Sequence, residues 1–253
     1  MGGVAIPVDW YRTSFAENFQ ALYFEEEGEE KAELAMAMLR VERGARVLDL
    51  ACATGRRTLE LTRHGFEVIG VDIRAPLLEV AACEVEQDDL WPWFVEEDPR
   101  YMDFEEEFDI VLSLGGGAFE HFEYDAENLR AFKAAARAMR PRGRLLMQIP
   151  NVLFVERHLP DTVRLTEGGA EDVIEQCWNV PTHRLDGVRT SRLDEDPNWL
   201  SDAVPFQRRL YTIEELAGVF EQVGLRLTDV FDEHGARCAP NDTQLELYVE
   251  ARK

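Results

Sequence analysis

Lysine is almost missing from this sequence. Lys31, Lys133 and Lys253 are the whole supply in 253 residues, so nearly all the positive charge is arginine. Cations are also outnumbered, 27 Lys and Arg against 50 Asp and Glu, which leaves a formal net charge of -23 at pH 7. Such an acidic surface repels phosphate backbones and anionic lipid, and no basic patch interrupts it in the sequence. Neither nucleic acid nor a membrane is an expected partner. Cysteine is scarce as well. Cys52, Cys83, Cys177 and Cys238 stand far apart with no Cys-x-x-Cys pair, a pattern of free thiols in a reducing compartment rather than a disulfide frame. No metal site is expected. No apolar run approaches membrane length, and no basic region followed by an apolar core opens the chain. The expected location is the cytoplasm, and the acidity fits a salt-rich or an ordinary one.

What is present is a chain with 45% hydrophobic residues, enough for one sizeable core. It is organised around Val47 to Asp72. Val47-Leu48-Asp49-Leu50 has the length and aliphatic make-up of a buried parallel strand. A turn of small residues follows, Ala51-Cys52-Ala53-Thr54-Gly55, and a helix starts behind Arg56 and Arg57 and stops at Gly65. Val68-Ile69-Gly70-Val71 is a second buried strand that closes on Asp72. Small turn residues let the backbone approach a ligand, and a helix start offers free N–H groups to a negative group. An acid ending the second strand can accept hydrogen bonds from ribose hydroxyls.

This unit resembles the cofactor site of class I S-adenosylmethionine-dependent methyltransferases. Their first motif runs acid-x-Gly-x-Gly-x-Gly, and their second strand ends in an acid. Here Asp49 stands at the acid, Ala51 and Ala53 at the first two glycines, and Gly55 at the third. A methyl group at Ala53 favours a negative φ. The dinucleotide dehydrogenase fingerprint, Gly-x-Gly-x-x-Gly, is absent.

The resemblance implies an α/β fold: a Rossmann-like seven-stranded, mostly parallel sheet flanked by helices, the last strand antiparallel, with a small β-rich lid insertion. It implies an N-terminal helical cover at 1–45, a core at 46–151 and 211–253, and the lid or antiparallel insertion at 152–210. The cofactor implied is S-adenosyl-L-methionine, leaving S-adenosyl-L-homocysteine as product. Asp49 would help hold the amino group of the methionine portion and Arg56 would meet its carboxylate. Ala51 and Gly55 would frame the turn, and Asp72, with Ile73 beside it, would hold the ribose. Asp98 would accept the adenine amino group and Pro99 would touch the ring. Leu114 and Gly115 open a Gly-rich stretch at the end of Phe108 to Leu114, close to the transferring methyl. His121, Tyr11 and Tyr23 are the candidates for a base, His121 because an imidazole titrates near neutrality. The acceptor implied is a small molecule with an O, N or C nucleophile, and the protein would be a monomer or homodimer. A non-catalytic binder of the same cofactor, or a scaffold without it, would be built on the same unit.

Elsewhere the pattern supplies elements. Leu34, Met38 and Leu39 mark a helix before the first strand, and Ala75 to Glu86 another. Trp91 to Val95 reads as a third strand. Asp125 is placed as the cap of a helix with Leu129, Phe132, Ala136 and Met139 on one face, and Pro141-Arg142-Gly143 turns into a strand at 144–149. Ile174 to Val180, Leu185 to Leu193 with an Asp186-Gly187 turn, and Gln207 to Tyr211 read as hairpin arms. Within them Trp178, Arg184, Arg189 and Trp199 are possible substrate contacts. Thr212-Ile213-Glu214-Glu215 is a capping box, and Leu225 to Phe231 and Leu245 to Ala251 close the chain as antiparallel strands.

Overall fold

The computed structural model describes residues 10–13, 27–88, 92–115, 117–159, 162–167, 170–193 and 203–253. In chain order the elements begin with α1 (Trp10–Thr13), α2 (Glu27–Leu39), β1 (Arg46–Leu50), α3 (Arg56–Arg63), β2 (Glu67–Asp72) and α4 (Ala75–Asp88). There follow β3 (Trp93–Glu96), β4 (Phe108–Ser113), α5 (Asp125–Ala138), β5 (Met139–Pro150) and α6 (Val152–His158). Then come β6 (Thr162–Glu167), β7 (Ala170–Asn179), β8 (Arg184–Leu193), β9 (Val204–Arg209), α7 (Ile213–Gln222), β10 (Arg226–Phe231) and β11 (Glu246–Arg252).

The central strands are aliphatic on both faces, and both faces are covered. Leu48 and Leu50 of β1 pack with Ala131 and Phe132 of α5 and with Leu216 and Phe220 of α7. Val47 packs on the opposite side with Ala35 and Met38 of α2 and Leu61 of α3. A strand buried on both sides needs such a helical layer on each, which is why Val47 and Leu48 are aliphatic at consecutive positions. The sheet order is β10-β11-β5-β4-β1-β2-β3. Strands β1 to β5 pair in parallel, and β11 runs antiparallel between β5 and β10. The order reverses between β1 and β4, so the turns beyond their carboxyl ends diverge. Ligands bind open α/β sheets at that place.

The second sheet is four-stranded and antiparallel, in the order β6-β7-β8-β9. It is tied to the core by buried polar contacts. Arg209 N–H donates to Glu120 O at 2.7 Å, and Arg184 donates to Phe122 O at 3.1 Å. Tyr211 O–H donates to Phe119 O at 3.2 Å. The Thr212–Glu215 capping box is complete, and Glu215 also accepts from Arg209 at 2.5 Å and meets His183 Nδ1 at 3.0 Å.

Several sequence expectations are corrected here. Gly187 does not turn the chain. It lies within β8, opposite Gln176 and Phe206, and the β7–β8 turn falls at 180–183. A Cβ on Gly187 would stand 2.3 Å from the Phe206 ring, so the glycine makes room for an aromatic rather than for a bend. Asp125 does not cap α5. Tyr124 is the N-cap, without a side-chain hydrogen bond, and Asp125 instead accepts from Arg184 at 2.7 Å. Met139 begins β5 and is not the last turn of α5. Pro141-Arg142-Gly143 lies inside that strand as a register shift, with Arg142 at φ +68°. The helix α6 and the strand β6 carry no signal in the sequence pattern above. Phe15, Phe19, Tyr23, Trp91 and Trp199 lie outside the described residues.

Candidate active site

Beyond the carboxyl ends of β1, β2 and β4 lies a cleft of about 320 Å³. Its floor is the turn after β1. Ala51, Ala53 and Gly55 all have positive φ, 53°, 52° and 74°, so the alanines hold a conformation that glycine adopts without strain. The negative φ favoured by a methyl at Ala53 is therefore not the one adopted. What holds it is Asp72, whose carboxylate accepts the Ala53 N–H at 3.0 Å. Gly55 is needed for a second reason, since a Cβ there would lie 2.5 Å from Phe94 and 2.8 Å from Ala81.

Asp49 is fully buried behind this turn. It accepts from Arg57 Nε at 3.0 Å, from the same guanidinium's terminal amino group at 2.5 Å, and from Thr58 O–H at 2.8 Å. A buried carboxylate is tolerable only with such partners. Arg57 also donates to Leu114 O at 3.0 Å, so it bridges the ends of β1 and β4. It lines the cavity, as do Arg56, Lys31, Leu114 and Gly115. A methyl group on Gly115 would be 3.9 Å from Lys31 Nζ, which places that ammonium at the same corner.

At the other end Asp72, Ile73 and Pro99 line the cavity. The Asp72 carboxylate is bridged by Arg74, Nε to one oxygen at 3.0 Å and a terminal amino group to the other at 3.2 Å. Asp98 repeats this device. Arg100, also two residues on, donates to it from N–H, Nε and a terminal amino group, and Arg12 of α1 adds a contact at 3.0 Å. Burial raises the Asp98 pKa, but the Arg100 hydrogen bonds and the Arg100 and Arg12 charges outweigh it and hold the carboxyl below its ordinary value.

His121 lines the cavity too. Its ring lies 4.9 Å from that of Trp10, and a methyl group on Gly117 would touch both His121 Cε1 and Ala51 Cβ at 3.4 Å. The imidazole therefore stands one residue's width from the turn. Burial, and then the charges of Arg208 and Arg74, push its pKa well below 6.5, so it is neutral at neutral pH. Tyr11 lines the same wall, with its hydroxyl accepting from Arg100 at 3.2 Å. Cys52 is buried at the floor, and burial and the Asp49 and Asp72 charges keep its thiol protonated.

The sequence-expected residues thus divide. Ala51, Arg56, Asp72, Ile73, Pro99, Leu114, Gly115, Tyr11 and His121 line one cavity. Asp49, Gly55 and Asp98 stand behind its wall. Asp49 is held by Arg57, and Asp98 is held by Arg100 and Arg12. Arg57, Lys31, Trp10, Phe206 and Arg208 also line it and were not singled out for the site by sequence reasoning. For Arg208 a signal existed: Val204, Phe206 and Arg208 alternate along one strand face.

This arrangement of strand, strained turn, helix and acid-ended strand can be compared with known proteins. Residues 47–143 match the family model described as a methyltransferase domain. Over these residues the chain is similar to methyltransferase domains. YqeM, a Bacillus subtilis protein named as a methyltransferase, is 30% identical over 134 residues, 53% of this chain and 52% of YqeM. The alignment therefore spans about half the length of that relative. Among solved structures the methyltransferase CcbJ of Streptomyces caelestis superposes with a TM-score of 0.77 at 17% identity, covering 97% of this chain and 95% of CcbJ. CalS10, an amino pentose methyltransferase of Micromonospora echinaspora in its S-adenosylmethionine-bound form, superposes with a TM-score of 0.66 at 20% identity, covering 100% of both chains. At these identities the superpositions show a fold shared with those two proteins.

Proposed function

We propose that the whole chain is an S-adenosylmethionine-dependent methyltransferase acting on an O, N or C nucleophile of a small molecule. The observation that carries this is the turn from Ala51 to Gly55. Its backbone is held open by positive φ at three positions and lies between a basic corner and an acid-ended strand, on the floor of the cavity.

The cavity suits the cofactor's chemistry. Its cationic corner of Lys31, Arg56 and Arg57 matches a carboxylate, and Asp72 at the opposite end matches a ribose diol. The apolar Ile73 and Pro99 match a purine face. Asp98 stands behind Pro99 and positions the loop through Arg100. When bound, the cofactor supplies a sulfonium-activated methyl group. The chain's own part is then alignment and exclusion of water, which accounts for most of what such a displacement requires. Trp10 and Tyr11 of α1 close one side, and Phe206 of β9 closes another. Neutral His121 beside the turn can accept the proton that an acceptor hydroxyl or ammonium gives up. The small-molecule reading draws support from the size of the cavity and from the printed identity of CalS10 as an amino pentose methyltransferase.

The test is transfer of label from methyl-labelled S-adenosylmethionine to a panel of hydroxyl, amine and carbon acids. Label in any acceptor supports the reading. Tight cofactor binding with no transfer across the panel would make the protein a binder and not an enzyme.

A further inference from the structure

The charge of the cavity runs against that of the protein. Lys31, Arg56, Arg57, Arg74, Arg189 and Arg208 line it, and Asp72 is the one carboxylate among its described lining residues. The chain as a whole has 27 cationic and 50 acidic side chains.

Arg74 lies on Asp72, and the other five cations fall into two corners. Lys31, Arg56 and Arg57 come from α2 and α3, at the end of β4, and the reading above assigns them to the cofactor's carboxylate. The present inference rests on that reading. Arg189 and Arg208 belong to the second sheet, across the cavity. Ile174, Arg189 and Val204 form one cross-strand row, and Phe206 and Arg208 continue the same face of β9 in steps of two. Phe206 spreads over Gly187, with its ring centroid 6.3 Å from that of Trp10. The result is an apolar wall with a cation at each end.

Arg208 is the end next to His121, whose pKa it lowers. One of its terminal amino groups donates to Glu120 Oε1 at 2.7 Å, while its buried Nε has no hydrogen-bond partner among the described residues. The side chain is 29% exposed, so donor capacity remains at the cavity. Glu120 meets one side of this guanidinium, and its remaining donors against an apolar wall favour a further acceptor. A sulfonium cofactor would add positive charge to this space, and an anion on the acceptor would offset it.

We propose that the methyl acceptor is an organic acid. Its flat hydrocarbon part lies between Trp10 and Phe206 and its carboxylate lies on Arg208, with Arg189 the second cation of the same wall. Arg208 is then a specificity residue, and it holds the acceptor's nucleophile beside His121.

Calorimetry on the full chain saturated with S-adenosylhomocysteine reads this directly. The probes are phenylacetate, indole-3-acetate and 4-hydroxybenzoate, each against its primary amide. The expected result is an acid bound about tenfold or more tightly than its amide in at least one pair. Arg208→Gln should bring that ratio close to one, and Arg208→Lys should restore part of it, with S-adenosylhomocysteine binding reporting an intact fold in both. Equal affinity for acid and amide, no binding by any pair, or a ratio that Arg208→Gln leaves unchanged overturns the inference and leaves the cofactor reading standing. Failure of the wild-type protein to bind S-adenosylhomocysteine overturns the cofactor reading instead, and this inference with it.

Discussion

Arg74 lies across Asp72, its guanidinium bridging both carboxylate oxygens at 3.0 and 3.2 Å. These are the oxygens that a ribose diol would use, so the proposed cofactor competes with an internal cation. Arg74→Ala removes the competitor and leaves the carboxylate in place. It should tighten S-adenosylhomocysteine binding by about two- to fivefold, the worth of a partly exposed ion pair. Titration calorimetry checks this, and weaker binding in the variant would mean that Arg74 itself holds the ligand.

The turn stores strain at two alanines, Ala51 and Ala53. Ala53 sits at φ +52°, where an L side chain costs about 1–2 kcal/mol and glycine costs little. Ala53→Gly should therefore stabilise the protein by roughly 1 kcal/mol, with Tm rising by about 2–4 °C. Gly55→Ala should do the reverse, by about 2 kcal/mol or more, because φ is +74° and Phe94 stands 2.5 Å from the new Cβ. Thermal unfolding of the two variants gives both signs.

Glu215 joins the two sheets and responds to acid. Burial raises its pKa, but Arg209, the Thr212 N–H and His183 outweigh that and bring it down from 4.5 to about 2. A depressed carboxylate contributes stability that is present above its unfolded pKa and lost as pH falls through the folded one. The stability advantage of wild type over Glu215→Gln should be constant at neutral pH. It should shrink as the pH falls from 4.5 towards 2. Urea unfolding at a series of pH values measures it.

His121 offers a kinetic test. As a base it should contribute about a hundredfold or more to kcat, with His121→Phe leaving S-adenosylhomocysteine affinity near wild type. Burial and the Arg208 and Arg74 charges depress its pKa, so the acid limb of the pH profile should fall below 6.5. Arg74→Ala should move that limb upward. A limb that stays in place in both variants assigns the titration to another group.

The parts of this structure that were legible in the sequence are those set by local rules. β1, β2 and β4 are buried on both faces, so their aliphatic runs needed no partner to be read. The Thr212–Glu215 box is complete within four residues. What was not legible depends on groups distant in the chain. Of two adjacent arginines, Arg57 turns inward to Asp49 while Arg56 faces Glu84 of α4 at 3.9 Å, a choice set by the rotation of α3 about its axis. Asp186-Gly187 has the residues of a hairpin turn, but Phe206, 19 positions later, is what requires the glycine. Asp98 carries an acid where the family has one, yet Arg12 and Arg100 claim both its oxygens. A strand starting at Gln207 hides the alternation of Val204, Phe206 and Arg208, and the strand in fact starts at Val204.

Titration calorimetry of the full chain with S-adenosylhomocysteine, in wild type and in Asp72→Ala, tests the central claim most directly. Micromolar binding by the wild type, weakened at least about tenfold in a variant that circular dichroism shows to be folded, is the result expected for a carboxylate that accepts the ribose hydroxyls. No binding by folded wild-type protein, or equal binding by the two, would contradict the assignment of this cavity to the cofactor.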